Sequence, residues 1–179
     1  MKQIRLQKLL LKAIQYAIKM HEGQKRKVSE EPYVSHPLHV AYLLLSYKTN
    51  SKNGMLLAIA AILHDTVEDT KATIEDIRKL FGEMVAEIVQ ELSNDEELLR
   101  KIGKPKLLKK KLLEVTKYTL TIKMVDRLSN IEDGPTEKYL NDTLELLDFL
   151  KKNRALTRTQ LHIMADIEKE CKYKLNKGV

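Results

Sequence analysis

The hydrophobic residues of this chain recur at three- and four-residue steps, and no segment alternates between apolar and polar residues for long enough to form a sheet. The first helical stretch shows the pattern at Ile4, Leu10, Ala13, Ile14, Ala17 and Ile18. Such spacing predicts an all-α protein, with about seven or eight helices. The 179 residues contain no repeat and no low-complexity linker, so we expect one domain that covers residues 1–179.

Helix-breaking residues predict where these helices begin and end. Gly23 is expected to stop the first helix and Pro37 to open the second, while Thr73 and Asp76 resemble a capping box. Residues 24–35 and 93–105 are expected to be loops. The predicted helices cover about 3–22, 37–47, 54–67, 73–82, 83–92, 106–131, 137–152 and 157–174.

Membrane and disulfide-rich classes are disfavoured by two features. The longest apolar run, Leu56 to Leu63, is far shorter than a membrane span. The single cysteine, Cys171, cannot form an internal disulfide and fits a reducing compartment. Its position suggests an exposed side chain with no basic partner to activate it. We therefore expect a cytoplasmic protein with no membrane contact.

The formal net charge of +7 favours anionic partners such as nucleotides, nucleic acids or acidic surfaces. The basic residues cluster at Lys101, Lys104, Lys106, Lys109, Lys110 and Lys111. A solvated helix face is the other interpretation of this cluster. Aromatic residues are not interleaved with the lysines, which makes binding to single-stranded nucleic acid less favoured than binding to a small nucleotide.

The most apolar predicted helix ends in ionisable residues, in the string AAILHDTVEDT (60–70). A carboxylate at Asp65, directly after His64 and the apolar run, is costly to bury unless a cation or hydrogen bonds compensate. If the helix continues, Glu68 and Asp69 lie one turn further on the same face. This cluster predicts a site for a divalent metal ion.

Two further residues are polar where their neighbourhood is apolar. His36 stands in PYVSHP (32–37), at the junction between a loop and a helix, and Asp126 stands in IKMVDRLSN (122–130). Two histidines and two aspartates offer mixed nitrogen and oxygen ligands, which suit Mn²⁺, Fe²⁺ or Zn²⁺ and leave positions for water and substrate. Buried polar residues that are satisfied by hydrogen bonds alone are the alternative interpretation.

The order His, His-Asp, Asp resembles the signature of the HD phosphohydrolase superfamily. Over about residues 10–131, the chain resembles in particular the hydrolase domain of RelA/SpoT-type enzymes, and the absence of synthetase motifs makes it similar to a stand-alone small alarmone hydrolase. The strings that carry the resemblance are HEGQKRK (21–27), PYVSHP (32–37), LHDTVEDT (63–70), FGEMVAEIV (81–89) and IKMVDRLSNI (122–131).

The resemblance implies an HD-domain helical bundle and a role for each matching residue. The implied ligands of one Mn²⁺ are His36, His64, Asp65 and Asp126. Glu68 and Asp69 would position or activate the attacking water and assist proton transfer. The implied substrate contacts are Arg26 and Lys27 to the base and its phosphates, Asn130 to the ribose, and Lys123 and Arg127 to phosphate oxygens.

The implied reaction removes the 3′-pyrophosphate from (p)ppGpp and leaves GDP or GTP. Two alternatives stay open: an HD phosphohydrolase that acts on another phosphorylated nucleotide such as NADPH, and a non-catalytic nucleotide-sensing domain. The loop KVSEEPY (27–33) lacks the glycine that is common there in the long enzymes, so the sequence leaves base specificity open. It also leaves open the oligomeric state and any role of residues 137–179.

Overall fold

The computed structural model of the protein describes residues 2–48, 51–94, 97, 100, 101 and 103–178. Within these residues the regular secondary structure is helical, apart from an isolated antiparallel bridge between Lys25 and Pro32. The predicted all-α class is confirmed. The chain divides into two compact units, Met1–Ser93 and Asn94–Val179.

The first unit is built around its most apolar helix. Its helices are α1 (Lys2–Met20), α2 (Ser35–Tyr47), α3 (Gly54–Leu63), α4 (Thr66–Asp69), α5 (Ile74–Phe81) and α6 (Glu83–Leu92). Helix α3 packs against α1, α2 and α6. Because α3 is apolar on every face, it is buried all round, and its residues from Leu57 to Leu63 are almost inaccessible to solvent.

The predicted helix over residues 54–67 is wrong in one respect, because α3 ends at Leu63 and the short α4 follows as a separate element. Side chains form hydrogen bonds with backbone carbonyls that would otherwise accept from the next turn of the helix. The Thr66 hydroxyl donates to the Leu63 carbonyl at 2.7 Å, and His64 Nδ1 lies 2.7 Å from the Ala61 carbonyl. The Asp69 N–H still donates to the Asp65 carbonyl at 2.9 Å. His64 and Asp65 therefore lie in a turn between two helices.

The loop between α1 and α2 folds back on itself. The Arg26 N–H donates to the Glu31 carbonyl at 2.8 Å, and the Tyr33 N–H donates to the Gln24 carbonyl at 2.9 Å. Glu30, between them, has a φ of 58°, in the left-handed region that glycine adopts without strain. The loop therefore has a glutamate in a turn where a glycine would be favoured. It places Tyr33 just before the start of α2.

The capping box predicted at Thr73 is confirmed. Thr73 Oγ1 accepts from the Asp76 N–H at 3.1 Å, and Asp76 Oδ2 accepts from the Thr73 N–H at 3.0 Å. These bonds satisfy backbone donors at the start of α5. At its other end Gly82 has a φ of 92°, which separates α5 from α6.

The second unit contains α7 (Lys104–Glu114), α8 (Lys117–Glu132), α9 (Glu137–Asn153) and α10 (Arg158–Lys177). The single helix predicted over about 106–131 is wrong, because Val115 and Thr116 are extended and divide it into α7 and α8. Thr116 caps α8 by accepting from the Thr119 N–H. Arg154 donates to the carbonyls of Leu112 and Val115, which lie at the end of α7.

Helix α10 packs against α8 and α9 in this unit. The predicted exposure of Cys171 is wrong: the side chain is fully buried, on the same helical face as Ile163, Met164 and Ile167. The four- and eight-residue spacing from Ile163 and Ile167 gives the physical reason, since it places Cys171 on the apolar face of α10. Among the residues that the structure describes, no helix combines the length and apolar character needed to cross a bilayer.

Candidate active site

Three of the predicted metal ligands meet at one point in the first unit. His36, His64 and Asp65 each offer a ligand atom that lies within 4.8 Å of the other two. Asp65 Oδ2 is 3.0 Å from His64 Nε2 and 3.8 Å from His36 Nε2. Both histidines are buried, and the Asp65 side chain is 15% exposed. The cluster is therefore sheltered but open on the side of the carboxylate.

The hydrogen bonding of His64 fits a cation in this cluster. A backbone carbonyl can only accept, so the short contact between His64 Nδ1 and the Ala61 carbonyl places the ring proton on Nδ1. In the neutral ring the Nε2 lone pair then faces Asp65 Oδ2 at 3.0 Å. Two lone pairs at this distance repel unless a proton or a metal ion lies between them. The donor set and its tautomer therefore suit a metal bound through Nε2.

Tyr33 is a member of the site for which the sequence analysis gave no role. Its Oη donates to Asp65 Oδ2 at 2.7 Å and lies 3.2 Å from Asp69 Oδ2. Burial, together with the charge of Asp65, raises the pKa of Tyr33 above its ordinary value, so the phenol stays protonated as a donor. The signal that would have revealed it is the three-residue spacing to His36, whose N–H donates to the Tyr33 carbonyl at 3.0 Å.

The two predicted catalytic carboxylates lie on α4, next to these ligands in the chain. Loss of solvent around its carboxyl group, followed by the charge of Asp65, raises the pKa of Asp69. The hydrogen bond from Tyr33 acts in the opposite direction, and the nearby charge of Glu68 adds to the rise. A carboxyl group with a raised pKa beside an ionised one is suited to proton transfer.

His21 and Gln24 also belong to the site, although neither was predicted from the sequence to have a function. His21 is buried, and its Nδ1 lies 2.7 Å from Gln24 Oε1. The Gln24 Nε2 in turn donates to the backbone carbonyl of Asp69 at 2.8 Å. The His21 ring also packs against the Tyr33 ring, with 4.8 Å between their centroids.

Of the two basic residues predicted to meet the base, Arg26 lies against the site. Its guanidinium carbon is 5.9 Å from the centre of the Tyr33 ring, in cation–π contact. Lys27 is exposed on the same loop. Both residues belong to the unit that carries His36, His64 and Asp65.

The predicted fourth ligand, Asp126, lies in the second unit and is buried there. Asn130 Nδ2 donates to Asp126 Oδ1 at 2.7 Å, and Lys123 Nζ lies 2.9 Å from Asp126 Oδ2. The carboxylate is thus oriented by one predicted substrate contact and neutralised by another. Its role as a ligand stays a prediction.

Arg127, also predicted to meet phosphate, is engaged within the second unit. Its Nη1 donates to Thr143 Oγ1 at 2.7 Å, and its guanidinium carbon lies 5.0 Å from the centre of the Tyr139 ring. These contacts hold α8 against α9. Contacts of Lys123, Arg127 and Asn130 with a substrate stay predictions.

Comparisons with known proteins found a matching family model and similar relatives. The model of the HD domain family matches residues 13–138, a stretch that includes all of the predicted site residues. The guanosine-3′,5′-bis(diphosphate) 3′-pyrophosphohydrolase MESH1 of Xenopus tropicalis is 37% identical over 126 residues, which cover 70% of this chain and 69% of that protein. The protein of the same name from Drosophila melanogaster is 36% identical over 124 residues, which cover 69% and 68% of the two chains.

One solved structure is similar to this chain over most of its length. It is described as a metazoan ortholog of SpoT that hydrolyzes ppGpp and plays a role in starvation responses. The match has a TM-score of 0.77 and 28% sequence identity, and it covers 93% of this chain and 95% of that one.

Proposed function

We propose a function from one premise: this chain belongs to the HD domain family. The function that the site supports best is the hydrolysis of (p)ppGpp, in which the 3′-pyrophosphate is removed to leave GDP or GTP. The observation that carries this assignment is the convergence of His36, His64 and Asp65 in the tautomer and burial that a bound metal requires. We infer the substrate from the relatives that are named guanosine-3′,5′-bis(diphosphate) 3′-pyrophosphohydrolases.

The metal that we assign to the site is Mn²⁺, held by His36, His64, Asp65 and Asp126. Mixed imidazole and carboxylate ligands suit this ion, and a thiolate ligand is not needed. When bound, the ion supplies Lewis-acid polarisation of a phosphoryl oxygen and lowers the pKa of a coordinated water. The three ligands in the first unit support the assignment by their geometry, and Asp126 supports it by its buried, oriented carboxylate.

The side chains around the ligands have complementary tasks. The Tyr33 hydroxyl fixes the Asp65 carboxylate by hydrogen bonding. Asp69, assisted by Glu68, accepts the proton of the attacking water at a carboxylate oxygen, for which its raised pKa suits it. Arg26 and Lys27 bind the base and its phosphates. Lys123, Arg127 and Asn130 contact the phosphates and the ribose, and the positive charges stabilise the developing negative charge.

We also propose that residues 1–179 act as a single catalytic domain in the cytoplasm. The family match runs across the boundary between the two compact units, which supports one domain. The buried and unbridged Cys171 is compatible with a reducing compartment. The partner is then the small nucleotide itself.

The decisive experiment measures pyrophosphate release from ppGpp by metal-stripped protein, with and without added Mn²⁺. We expect release that depends on Mn²⁺ and that falls at least about 10³-fold in Asp65→Ala, since a lost ligand removes transition-state stabilisation of several kcal/mol. His162→Ala is the control, because the His162 side chain is exposed and lies on the second unit, outside the predicted site. Full activity in Asp65→Ala, or none in the wild-type protein, would overturn the assignment.

One observation leaves open a second substrate class, another phosphorylated nucleotide such as NADPH. The loop that carries Arg26 and Lys27 places Glu30, not a glycine, in its left-handed turn. A panel of ppGpp, pppGpp and NADPH, compared by kcat/KM under the same metal conditions, separates the candidates. Preference for ppGpp or pppGpp supports the assigned substrate, whereas preference for NADPH would leave the site intact and change the substrate. Tight ppGpp binding without turnover would favour a sensing role.

A further inference from the structure

We propose that His21 is a positioning residue for Asp69, and that it acts through the side-chain amide of Gln24. The inference rests on the hydrolase function proposed above. His21 directly follows the last residue of α1. In the part of the chain that the structure describes, its side chain makes no hydrogen bond to a predicted metal ligand or to a predicted substrate contact. Two contacts of its side chain, with Gln24 and with Tyr33, each connect it to Asp69.

The first contact is a chain of two hydrogen bonds whose directions are fixed. The Asp69 backbone carbonyl can only accept, so the group of Gln24 that faces it at 2.8 Å is the Nε2 amide, which donates. Gln24 Oε1 is therefore the atom that faces His21 Nδ1 at 2.7 Å, and it can only accept. His21 must carry a proton on Nδ1. In the neutral ring the tautomer of His21 is thus set by Asp69, through Gln24.

This series of hydrogen bonds ends at the Asp69 carbonyl, which needs a hydrogen-bond donor. Asp69 is the last residue of α4, and Thr70 after it is extended. Carbonyls in the last turn of a helix have no N–H from the following turn to accept from. Gln24 supplies that donor across 45 residues of sequence and so fixes the end of α4, where the Asp69 side chain begins.

The second contact is the packing of two rings. The His21 and Tyr33 rings have centroids 4.8 Å apart and an interplanar angle of 34°. Tyr33 then reaches the Asp69 carboxylate, with its Oη 3.2 Å from Asp69 Oδ2. His21 therefore supports both ends of Asp69, the backbone carbonyl through Gln24 and the carboxylate through Tyr33.

A packing role alone does not explain a histidine here. A phenylalanine has a ring of similar size and would stack on Tyr33 without burying polar atoms. What it lacks is the Nδ1–H. His21 Nε2 has no hydrogen-bond partner among the residues that the structure describes, so the polar contribution of this buried ring is made through Nδ1. The N–H to Gln24 is the feature that the imidazole supplies.

The test compares two substitutions that each keep one contact. His21→Phe keeps the ring and loses the donor, and His21→Asn keeps a side-chain N–H near the position of Nδ1 and loses the ring. We expect kcat for ppGpp to fall about 10–100-fold in His21→Phe, with KM changed less than about threefold, as for other residues that orient catalytic groups. His21→Asn is expected to recover most of that loss.

A double-mutant cycle distinguishes the hydrogen-bonded chain from general disruption. Gln24→Leu should lower kcat about as much as His21→Phe, and the double variant should be no worse than either, because all three break the same connection. Additive losses, or a His21→Phe variant with wild-type kcat, would overturn the inference. His162→Phe serves as the exposed histidine control.

An independent measurement uses the metal-free protein and needs no substrate. In the neutral form of the ring, the ¹⁵N shifts of His21 should show a protonated Nδ1 and an unprotonated Nε2, and Gln24→Leu should remove that preference. A neutral ring that carries its proton on Nε2 and not on Nδ1 would overturn the inference even if the protein is a hydrolase. If the wild-type protein releases no pyrophosphate, the proposed function fails, and the NMR result still decides whether His21 is tied to Asp69 through Gln24.

Discussion

Tyr33 Oη lies 2.7 Å from Asp65 Oδ2 and donates a hydrogen bond to it. The same carboxylate oxygen lies 3.0 Å from His64 Nε2 and 3.8 Å from His36 Nε2. The phenol therefore supports the oxygen on which both histidines converge. Since burial and the charge of Asp65 raise the pKa of Tyr33, this support is present throughout the neutral range of pH.

Tyr33→Phe removes this donor while keeping the ring that packs on His21. We expect kcat for ppGpp hydrolysis to fall about 10–100-fold and a higher Mn²⁺ concentration to be needed for half-maximal activity, because the partners that orient a ligand tune its affinity. Steady-state kinetics over a range of Mn²⁺ concentrations measure both effects. Tyr42→Phe is the control, since Tyr42 is 71% exposed. A Tyr33→Phe enzyme with unchanged kcat and metal dependence would show that the hydroxyl has no part in the site.

Metal binding should stabilise the protein as well as activate it. A ligand that binds only the folded state at 100 times its Kd adds about 2.7 kcal/mol to the free energy of unfolding. We expect Mn²⁺ to raise the Tm of the wild-type protein and to leave the Tm of His64→Ala almost unchanged, in thermal melts recorded with and without the ion. His162→Ala should respond like the wild type. An equal rise in His64→Ala would place the metal elsewhere.

Arg154, which directly follows the last residue of α9, ties the end of that helix to the end of α7 in the second unit. It donates to the carbonyls of Leu112 and Val115, which the break at Thr116 leaves without helical partners. Arg154→Ala leaves these acceptors poorly satisfied, so we expect the free energy of unfolding to fall by about 1–3 kcal/mol. Urea denaturation measures the change, with the exposed Lys152→Ala as control. Equal stability of the two variants would show that water replaces the guanidinium without cost.

The local part of the site was predictable because residues within about one helical turn of each other in the sequence stay close in space. His64, Asp65 and Asp69 lie within one six-residue segment, and the capping box at Thr73 depends on a residue three positions away. In each case the partner is a near neighbour in the sequence. The all-α class followed in the same way, from repeated three- and four-residue steps.

The remaining features depend on contacts that spacing does not encode. Tyr33 reaches Asp65 only because the loop closes through the bridge between Lys25 and Pro32. The break between α7 and α8 is stabilised by Arg154, which lies 42 and 39 residues further along the chain than Leu112 and Val115 and donates to their carbonyls. A periodic pattern predicts which face of a helix is apolar. It does not predict which distant side chain completes a hydrogen bond.

Cys171 was expected at the surface and is fully buried, and its chemistry should reflect this. Burial raises the pKa of the thiol from 9.0 to about 11. The thiolate is the reactive form, so native protein at pH 8 should resist thiol reagents and become reactive when unfolded in urea.

The same shift makes stability depend on pH. The folded state keeps the thiol proton that the unfolded chain releases near pH 9, so the stabilising contribution is complete below pH 9 and is lost as the pH rises through 11. We expect the free energy of unfolding to fall more steeply between pH 8 and 11 in the wild type than in Cys171→Ala, where this proton is absent. Because the charge of Cys171 also raises the pKa of Tyr139, both slopes are compared in a Tyr139→Phe background, where their difference isolates the thiol. Parallel slopes, or rapid modification of the folded protein at pH 8, would show that the side chain reaches solvent.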